Sequence, residues 1–279
     1  MIIGCHLSTG QGFARAVQNA GRLGADAFQY FPKNPRSHRL KPVDREESAR
    51  GAEAARAAGV VTVAHSAYVT NLSTGDPKLR ETTIASIVNE LELCEALGTR
   101  WLVVHCGKHL GEGETVGVRR MVEAIDEVMA RYQGPCRLLL ENTAGQGSEL
   151  GRTVDELLAI HEALACRERV GFCLDSCHAF ASGLLTPGGL DRFLEEVTRP
   201  EFARELEVIH LNDSKAGPGE HVDRHALLGQ GQMGELLKEL VRHPLLQARP
   251  VIIETPVEHE DQYADEIRLA RRWAEQAGT

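Results

Sequence analysis

Six short apolar runs of the chain each end on a histidine or an acidic residue. These end residues are His65, His105, Glu141, Asp175, His210 and Glu254. Any one of them taken alone would be an ordinary core or loop residue, but six in phase are not expected by chance. A buried carboxylate is costly unless a positive charge lies beside it, and histidine and carboxylate side chains are common metal ligands. The pattern therefore predicts a shared polar centre at one end of successive strands.

Three further residues could join this centre. His178 follows Asp175 by three positions, and Asp223 and His225 form an Asp-x-His pair in a long loop. An ordinary loop position is the alternative for the latter two, but the glycine-rich residues 229–231 favour close packing of that loop. Nine nitrogen and oxygen ligands exceed the need of one tetrahedral metal. If one carboxylate bridges, they suffice for a multi-metal site, which suits phosphoryl hydrolysis.

The number and spacing of the cysteines indicate whether the chain forms disulfides. Seven cysteines are scattered without a Cys-x-x-Cys pair, which argues against a disulfide framework and for reduced thiols. Cys106 and Cys177 adjoin candidate site residues. Each is either a zinc ligand or, as we favour, a small buried side chain.

The formal net charge of −9 by itself disfavours nucleic acid as a partner. Residues 33–41, however, carry four cations and no acid, and bound divalent ions would offset part of the negative charge. The alternative for this basic segment is a solvated loop. The sequence has neither an apolar run of membrane-spanning length nor a signal-peptide pattern, so we expect no membrane association and a cytoplasmic location.

Eight strand patterns alternate with eight helical patterns. The predicted strands are residues 2–6, 27–31, 61–65, 101–105, 137–141, 170–175, 206–210 and 250–254. The last predicted helix covers residues 261–277. This alternation, with no break in composition, predicts a single (β/α)8 TIM barrel domain over residues 1–279. Active sites of such barrels lie at the carboxyl ends of the strands, where the histidine and acidic residues fall.

Several long motifs occur in one order along nearly the whole chain. They are His65-Ser-Ala-Tyr-Val-Thr-Asn71, Glu141-Asn-Thr-Ala-Gly-Gln-Gly147, Cys173-Leu-Asp-Ser-Cys-His178, His210-Leu-Asn-Asp-Ser-Lys215, Val222-Asp-Arg-His225 and Glu254-Thr255. With these motifs the chain resembles the endonuclease IV family of apurinic/apyrimidinic (AP) endonucleases.

The resemblance implies a site of three zinc ions, with zinc or manganese at the third. It assigns His65, His105 and Glu141 to the first ion, Glu141, Asp175, His210 and Glu254 to the second, and His178, Asp223 and His225 to the third. Glu141 would be the catalytic bridging ligand. A hydroxide between the first two ions would attack the phosphate 5′ to an abasic site, and the third ion would stabilise the leaving 3′ oxygen. The products would be a 3′-hydroxyl and a 5′-deoxyribose phosphate, and family members also trim blocked 3′ ends.

The resemblance also implies how DNA is bound. Arg36 and Tyr68 match family positions that enter the minor groove and help to flip the abasic nucleotide out. The expected partner is double-stranded DNA with abasic sites or blocked 3′ ends, bound by a monomer. Cys106-Gly107-Lys108 replaces the usual Pro-Gly-Ser and adds a cation near the site, and Val69 stands where a larger aliphatic wedge is common.

Two other functions remain open at this point. A sugar isomerase or epimerase would place fewer ligands, with a base such as lysine, at the same end of a related barrel. A non-catalytic DNA-damage-binding module is the other alternative. The surplus of ligands and the Asp223-x-His225 pair favour the nuclease.

Overall fold

The computed structural model describes residues 1–276. Its strands are β1 (Ile3–His6), β2 (Ala27–Tyr30), β3 (Val61–His65), β4 (Trp101–His105), β5 (Arg137–Glu141), β6 (Val170–Asp175), β7 (Leu206–His210), β8 (Asp213–Ser214), β9 (His225–Ala226) and β10 (Val251–Ile253). Eight of them close into a parallel barrel in the order β1-β10-β7-β6-β5-β4-β3-β2. The predicted barrel is confirmed, and each barrel strand lies within one residue of its predicted ends.

Helices cover the outside of the barrel between successive strands. They are α1 (Phe13–Leu23), α2 (Arg45–Ala58), α3 (Pro77–Ala96), α4 (Glu114–Arg131), α5 (Val154–Ala163), α6 (Ser176–Ala181), α7 (Leu190–Val197), α8 (Pro200–Ala203), α9 (Glu235–Arg242), α10 (Pro244–Gln247) and α11 (Tyr263–Glu275). Ala277, the predicted end of the last helix, lies outside the described residues. Within residues 1–276, no helix is long and apolar enough to cross a membrane.

Three of the longer helices, α2, α3 and α5, start at a side-chain cap. Asp44, Asp76 and Thr153 each accept a backbone N–H from the first turn of α2, α3 and α5, respectively. Such caps satisfy backbone donors that have no partner within the helix. These caps fix the residues at which α2, α3 and α5 begin.

The interior of the barrel is filled by one side chain or more from most strands. These residues are Ala27, Val63, Trp101, Val103, Leu139, Cys173, Val208 and Ile252, and they form an apolar cluster separate from the larger one around it. Because side chains alternate between the two faces of a strand, residues two positions further along point into the same interior. The next inward-facing residue of each strand therefore lies directly above this apolar layer.

The chain passes from β6 directly into a short helix. Residues Ser176–Ala181 form the short helix α6, and the Asp175 carboxylate accepts the backbone N–H of His178 at 2.7 Å as its cap. A strand end that is also a helix cap leaves no room for a flexible loop. The turn therefore holds His178 in fixed geometry beside the barrel mouth.

The long loop after β7 is also more ordered than its length suggests. Strands β8 and β9 pair antiparallel within it, Ser214 opposite His225. The Asp213 carboxylate accepts N–H groups from Gly229 and Gly231, each at 3.0 Å. A Cβ atom on Gly231 would lie 2.3 Å from that carboxylate, so the predicted close packing of residues 229–231 is confirmed.

Candidate metal centre

Strand alternation brings six of the candidate residues into one layer. Each follows an inward-facing apolar residue by two positions, as His65 follows Val63 and Glu141 follows Leu139. The six are His65, His105, Glu141, Asp175, His210 and Glu254. This layer lies at the carboxyl end of the barrel, directly above its apolar filling. Glu141 and Asp175 are fully buried there.

The nine predicted site residues fall into three groups of mutually close ligand atoms. The groups are His65, His105 and Glu141; Glu141, Asp175, His210 and Glu254; and His178, Asp223 and His225. Within each group the ligand atoms lie within 4.8 Å of one another. Glu141 belongs to two groups, which is the position that a bridging carboxylate requires.

Glu141 lies at the middle of the layer. Its Oε2 is 3.2 Å from the Nε2 atoms of both His65 and His105, and its Oε1 is 2.9 Å from Nδ1 of His210. Burial disfavours the charged form of Glu141, but the imidazoles of His210 and His105 outweigh that effect and hold its pKa well below the usual range. A fully buried carboxylate thus stays ionised.

Three imidazoles are oriented by the backbone. The Nδ1–H groups of His65, His178 and His225 donate to the carbonyl oxygens of residues 66, 142 and 254, at 2.9, 2.9 and 3.2 Å. The other ring nitrogen, Nε2, faces a carboxylate in each case, such as Asp223 Oδ1, 3.3 Å from His178 and 3.5 Å from His225. The His225 Nε2 is buried and has no hydrogen-bond partner.

His210 is oriented in the opposite sense by a side chain. Its Nε2–H donates to Gln29 Oε1 at 2.8 Å, and its Nδ1 faces both Glu141 Oε1 and Glu254 Oε2, the latter at 3.1 Å. An unprotonated nitrogen that faces carboxylate oxygens is repulsive unless a cation lies between them. The donor set of this layer therefore fits divalent metal ions that take nitrogen and oxygen ligands.

The pKa of His178 shows the strength of the acidic surroundings. Burial lowers its pKa, yet the carboxylates of Asp175, Asp223 and Glu141 together raise it well above the ordinary value. Asp223 is the most exposed of these acids, at 37% of its side-chain surface. The layer is thus closed at Glu141 and open to solvent at Asp223.

Sequence reasoning missed four residues of this centre. Gln29 and His6 occupy the two strands that carry no predicted ligand, and Gln29 Nε2 donates to Glu254. Asn142 and Asn212 bind Asp175, through its backbone N–H at 2.7 Å and its Oδ2 at 2.6 Å, respectively. His6 and Gln29 follow the same two-residue alternation as the ligands, so that signal could have located them.

The two cysteines near the site differ in position. Cys106 Sγ donates to the Glu141 carbonyl at 3.5 Å, and burial raises the pKa of its thiol, as expected for a small buried side chain. Cys177 is also buried, with a pKa raised by burial to about 12, and its thiol donates to the Arg224 carbonyl. Its sulfur nevertheless lies within 4.8 Å of ligand atoms of Asp175 and His225.

A cavity of about 330 Å³ opens above the layer. His65, His105 and Asp223 line its floor, and Tyr68 and Lys108 line its rim. Tyr68 is 67% exposed although its ring packs against the ring of Phe31, 5.0 Å between centroids. The ammonium of Lys108 lies 3.2 Å from Glu149 at the rim.

Comparison with known proteins agrees with this architecture. The sequence profile of the xylose isomerase-like TIM barrel family matches residues 17–274. A probable endonuclease 4 from Symbiobacterium thermophilum is 46% identical over 272 residues, which is 97% of this chain and 99% of that protein. The crystal structure of endonuclease IV from Thermus thermophilus is 34% identical, with a TM-score of 0.89 over 99% of this chain and all of that one.

A more distant structure shares the fold alone. D-psicose 3-epimerase from Clostridium cellulolyticum has a TM-score of 0.71 at 14% identity, over 99% of this chain and 98% of that one. The identity and coverage of the first two relatives distinguish them from this general likeness of barrels. The chain therefore belongs to the endonuclease IV family of xylose isomerase-like TIM barrels.

Proposed function

We propose that this protein is a metal-dependent AP endonuclease that hydrolyses the phosphodiester bond 5′ to an abasic site. The products would be a 3′-hydroxyl and a 5′-deoxyribose phosphate. One observation carries the metal dependence: in four imidazoles, one ring nitrogen is hydrogen bonded and the other faces a carboxylate. These are His65, His178, His210 and His225. Divalent ions bound between these nitrogens and carboxylates would satisfy both kinds of ligand together.

The three groups of ligand atoms support three ions, which we propose to be zinc at the first two positions and zinc or manganese at the third. His65, His105 and Glu141 would hold the first, Glu141, Asp175, His210 and Glu254 the second, and His178, Asp223 and His225 the third. When bound, such ions activate water and neutralise charge on the attacking and leaving oxygens of a phosphate. The complete donor set distinguishes this proposal from a purely binding module.

The role of each residue in this proposal follows from its position. Glu141 joins two groups through its two oxygens and so fixes their spacing. The bonds from Nδ1 of His65 and His178 to the backbone fix which ring nitrogen is free to bind. Asp223, at the open side of the layer, lies where a phosphate would enter from the cavity.

DNA would approach from the face that carries this cavity. We propose that Arg36 and Tyr68 enter the minor groove and stabilise the flipped abasic nucleotide, for which the exposed ring of Tyr68 beside His65 is suited. Flipping costs least where the base is already missing, so the lesion itself contributes selectivity. We further propose trimming of blocked 3′ ends, action as a monomer and a cytoplasmic location.

The test uses a duplex with one tetrahydrofuran abasic analogue, which cannot undergo β-elimination. We expect the metal-replete protein to nick 5′ to the analogue, the chelator-stripped protein to leave it intact, and added zinc or manganese to restore the nick. Failure of the metal-replete protein to nick would contradict the proposal. Conversion of a ketose to an aldose would then be measured, since the chain matches the xylose isomerase-like barrel family.

A further inference from the structure

A buried ion pair lies beneath the basic segment, away from the metal centre. Lys33 Nζ lies 3.5 Å from Glu90 Oε1, and the two side chains are 2% and 0% exposed. The same ammonium donates to Ser86 Oγ at 2.6 Å and to the Arg39 carbonyl at 3.5 Å. Lys33 therefore connects the beginning of the β2–α2 loop, its later part and one face of α3.

The same face of α3 holds the loop at another point. Asn89, one residue before Glu90, accepts the Lys41 backbone N–H at 2.8 Å and donates to the Lys41 carbonyl at 2.9 Å. Residues 86, 89 and 90 are neighbours on a helix surface because they are three and four positions apart. One stripe of α3 thus binds the basic segment at Lys33 and Lys41, and Lys33 in turn binds the Arg39 carbonyl.

Glu90 also reaches the neighbouring β3–α3 loop. Its Oε1 accepts the Ala67 N–H at 3.4 Å, and the next residue, Tyr68, donates its N–H to the Pro35 carbonyl at 2.8 Å. Arg36 follows Pro35 directly. The two residues proposed to enter DNA are thus joined to each other and, through Lys33 and Glu90, to the same helix.

Stability does not explain this pair. Removing two charges from water costs about as much as their attraction returns, and an apolar pair of similar size is often as stable. Burial raises the pKa of Glu90 to about 7 against the opposing effect of Lys33, and Glu90 Oε2 is buried without a hydrogen-bond partner. A polar pair with so little net benefit for folding can instead determine loop geometry.

We infer that Lys33 and Glu90 are positioning residues, which hold the β2–α2 and β3–α3 loops in the conformation that binds abasic DNA. This inference rests on the proposed function, in which Arg36 and Tyr68 contact the DNA. Both side chains are buried, and their polar contacts are to each other, Ser86, Arg39 and Ala67, none of which is a candidate metal ligand. They act through the loops alone.

The test replaces the pair by apolar residues of similar size, Lys33→Met with Glu90→Leu. We expect the urea-unfolding midpoint to stay at or above that of the wild type, kcat on saturating tetrahydrofuran duplex to change less than about twofold, and KM to rise about tenfold, because the loops must be ordered on binding. The control is Arg80→Met with Glu127→Leu, which removes another ion pair of α3 (2.7 Å), one that joins α3 to α4 rather than to residues 33–41 or 66–72. That control should leave KM unchanged.

Two further measurements keep the outcome decisive. Hydrogen–deuterium exchange of residues 33–41 and 66–72 in the free protein should be faster in the apolar variant, which tests loop positioning without any nicking. If that variant does not fold, Asn89→Ala releases Lys41 alone and should raise KM severalfold. Wild-type KM and wild-type exchange in a folded variant would overturn the inference, whereas a wild type that does not nick would overturn the proposed function instead.

Discussion

At the scale of single residues, the candidate centre depends on which atom of each side chain faces which other atom. Glu141 directs its two oxygens to different imidazoles, and the backbone selects the free nitrogen of His65 and His178. The ligand residue types were predicted from strand ends, but these orientations were not, because they depend on hydrogen bonds to other strands and loops.

Replacing Glu141 by Gln tests the bridging role. Gln keeps the size but offers one oxygen and an N–H group in place of two anionic oxygens. We expect nicking of abasic duplex to fall by at least about 10³-fold, since charge stabilisation by metal ions in such sites amounts to several kcal/mol. Unchanged turnover with an intact circular dichroism spectrum would contradict the assignment.

A substitution of Gln29 tests the hydrogen bonds that orient the ligands His210 and Glu254. Gln29→Met removes the acceptor of His210 Nε2–H and the donor to Glu254 at nearly constant volume. We expect metal affinity to weaken about 10- to 100-fold, the usual effect of losing an outer-shell partner, as measured by competition with a zinc indicator. Gln133→Met, which removes bonds at the end of α4, serves as control and should retain wild-type affinity.

At the scale of elements, single carboxylates order the two segments that follow β6 and β7. Asp175 caps α6, and the Asp213 carboxylate accepts the backbone N–H groups of Gly229 and Gly231. Both arrangements present ligands of the third group, His178 in one case and Asp223 with His225 in the other. Local propensity did not reveal them, because two-residue strands and a six-residue helix have no periodic pattern long enough to read.

Gly231→Ala tests whether this loop holds the third ion. The added Cβ would lie 2.3 Å from Asp213 Oδ1 and 2.4 Å from the Ser214 carbonyl, so the loop must shift. We expect the purified protein to bind one metal ion fewer than the wild type, by elemental analysis, with the other two retained. Gly21→Ala, where nothing lies within 4 Å, is the control and should bind the full number.

The pair beneath the basic segment predicts a pH dependence of folding. The pKa of Glu90 rises from 4.5 unfolded to about 7 folded, so the folded chain binds more protons in that window. Stability contributed by this group is present below about pH 4.5 and is lost by about pH 7, a change on the order of 3 kcal/mol. Urea unfolding at pH 5 and pH 8 should show this loss relative to the Lys33→Met, Glu90→Leu variant; parallel pH profiles would contradict it.

At the scale of the whole molecule, a chain of net charge −9 would have to bind the proposed DNA substrate through a locally positive face. Lys108 lines the cavity, and the basic segment accepts the N–H of the cavity-lining Tyr68 at its Pro35 carbonyl, while carboxylates of the metal centre would be neutralised by bound ions. The overall charge therefore describes the outside of the barrel better than its binding face.

Lys108 stands where the family usually has serine, and it adds a cation beside the cavity. If it contacts a phosphate, Lys108→Ser should reduce the slope of log Kd against log salt by about 0.9, the value for one ionic contact with duplex DNA. Fluorescence anisotropy of abasic duplex at several potassium chloride concentrations measures this. Lys238→Ser, which removes a lysine paired with Glu235 on α9, should keep the wild-type slope.

The sequence by itself determined the barrel and the type of its centre. Short apolar runs, each ended by histidine or an acidic residue, predicted buried strands with polar ends, and the helical patterns between them predicted parallel neighbours. The tertiary structure alone decided which residues share a group. His65 and Glu141, 76 residues apart, meet because β4 pairs with both β3 and β5. Gln29 and His210, 181 residues apart, meet only because β1 closes the barrel against β10. Periodicity along one strand carries information about the face of a side chain, whereas its partners are set by packing between strands.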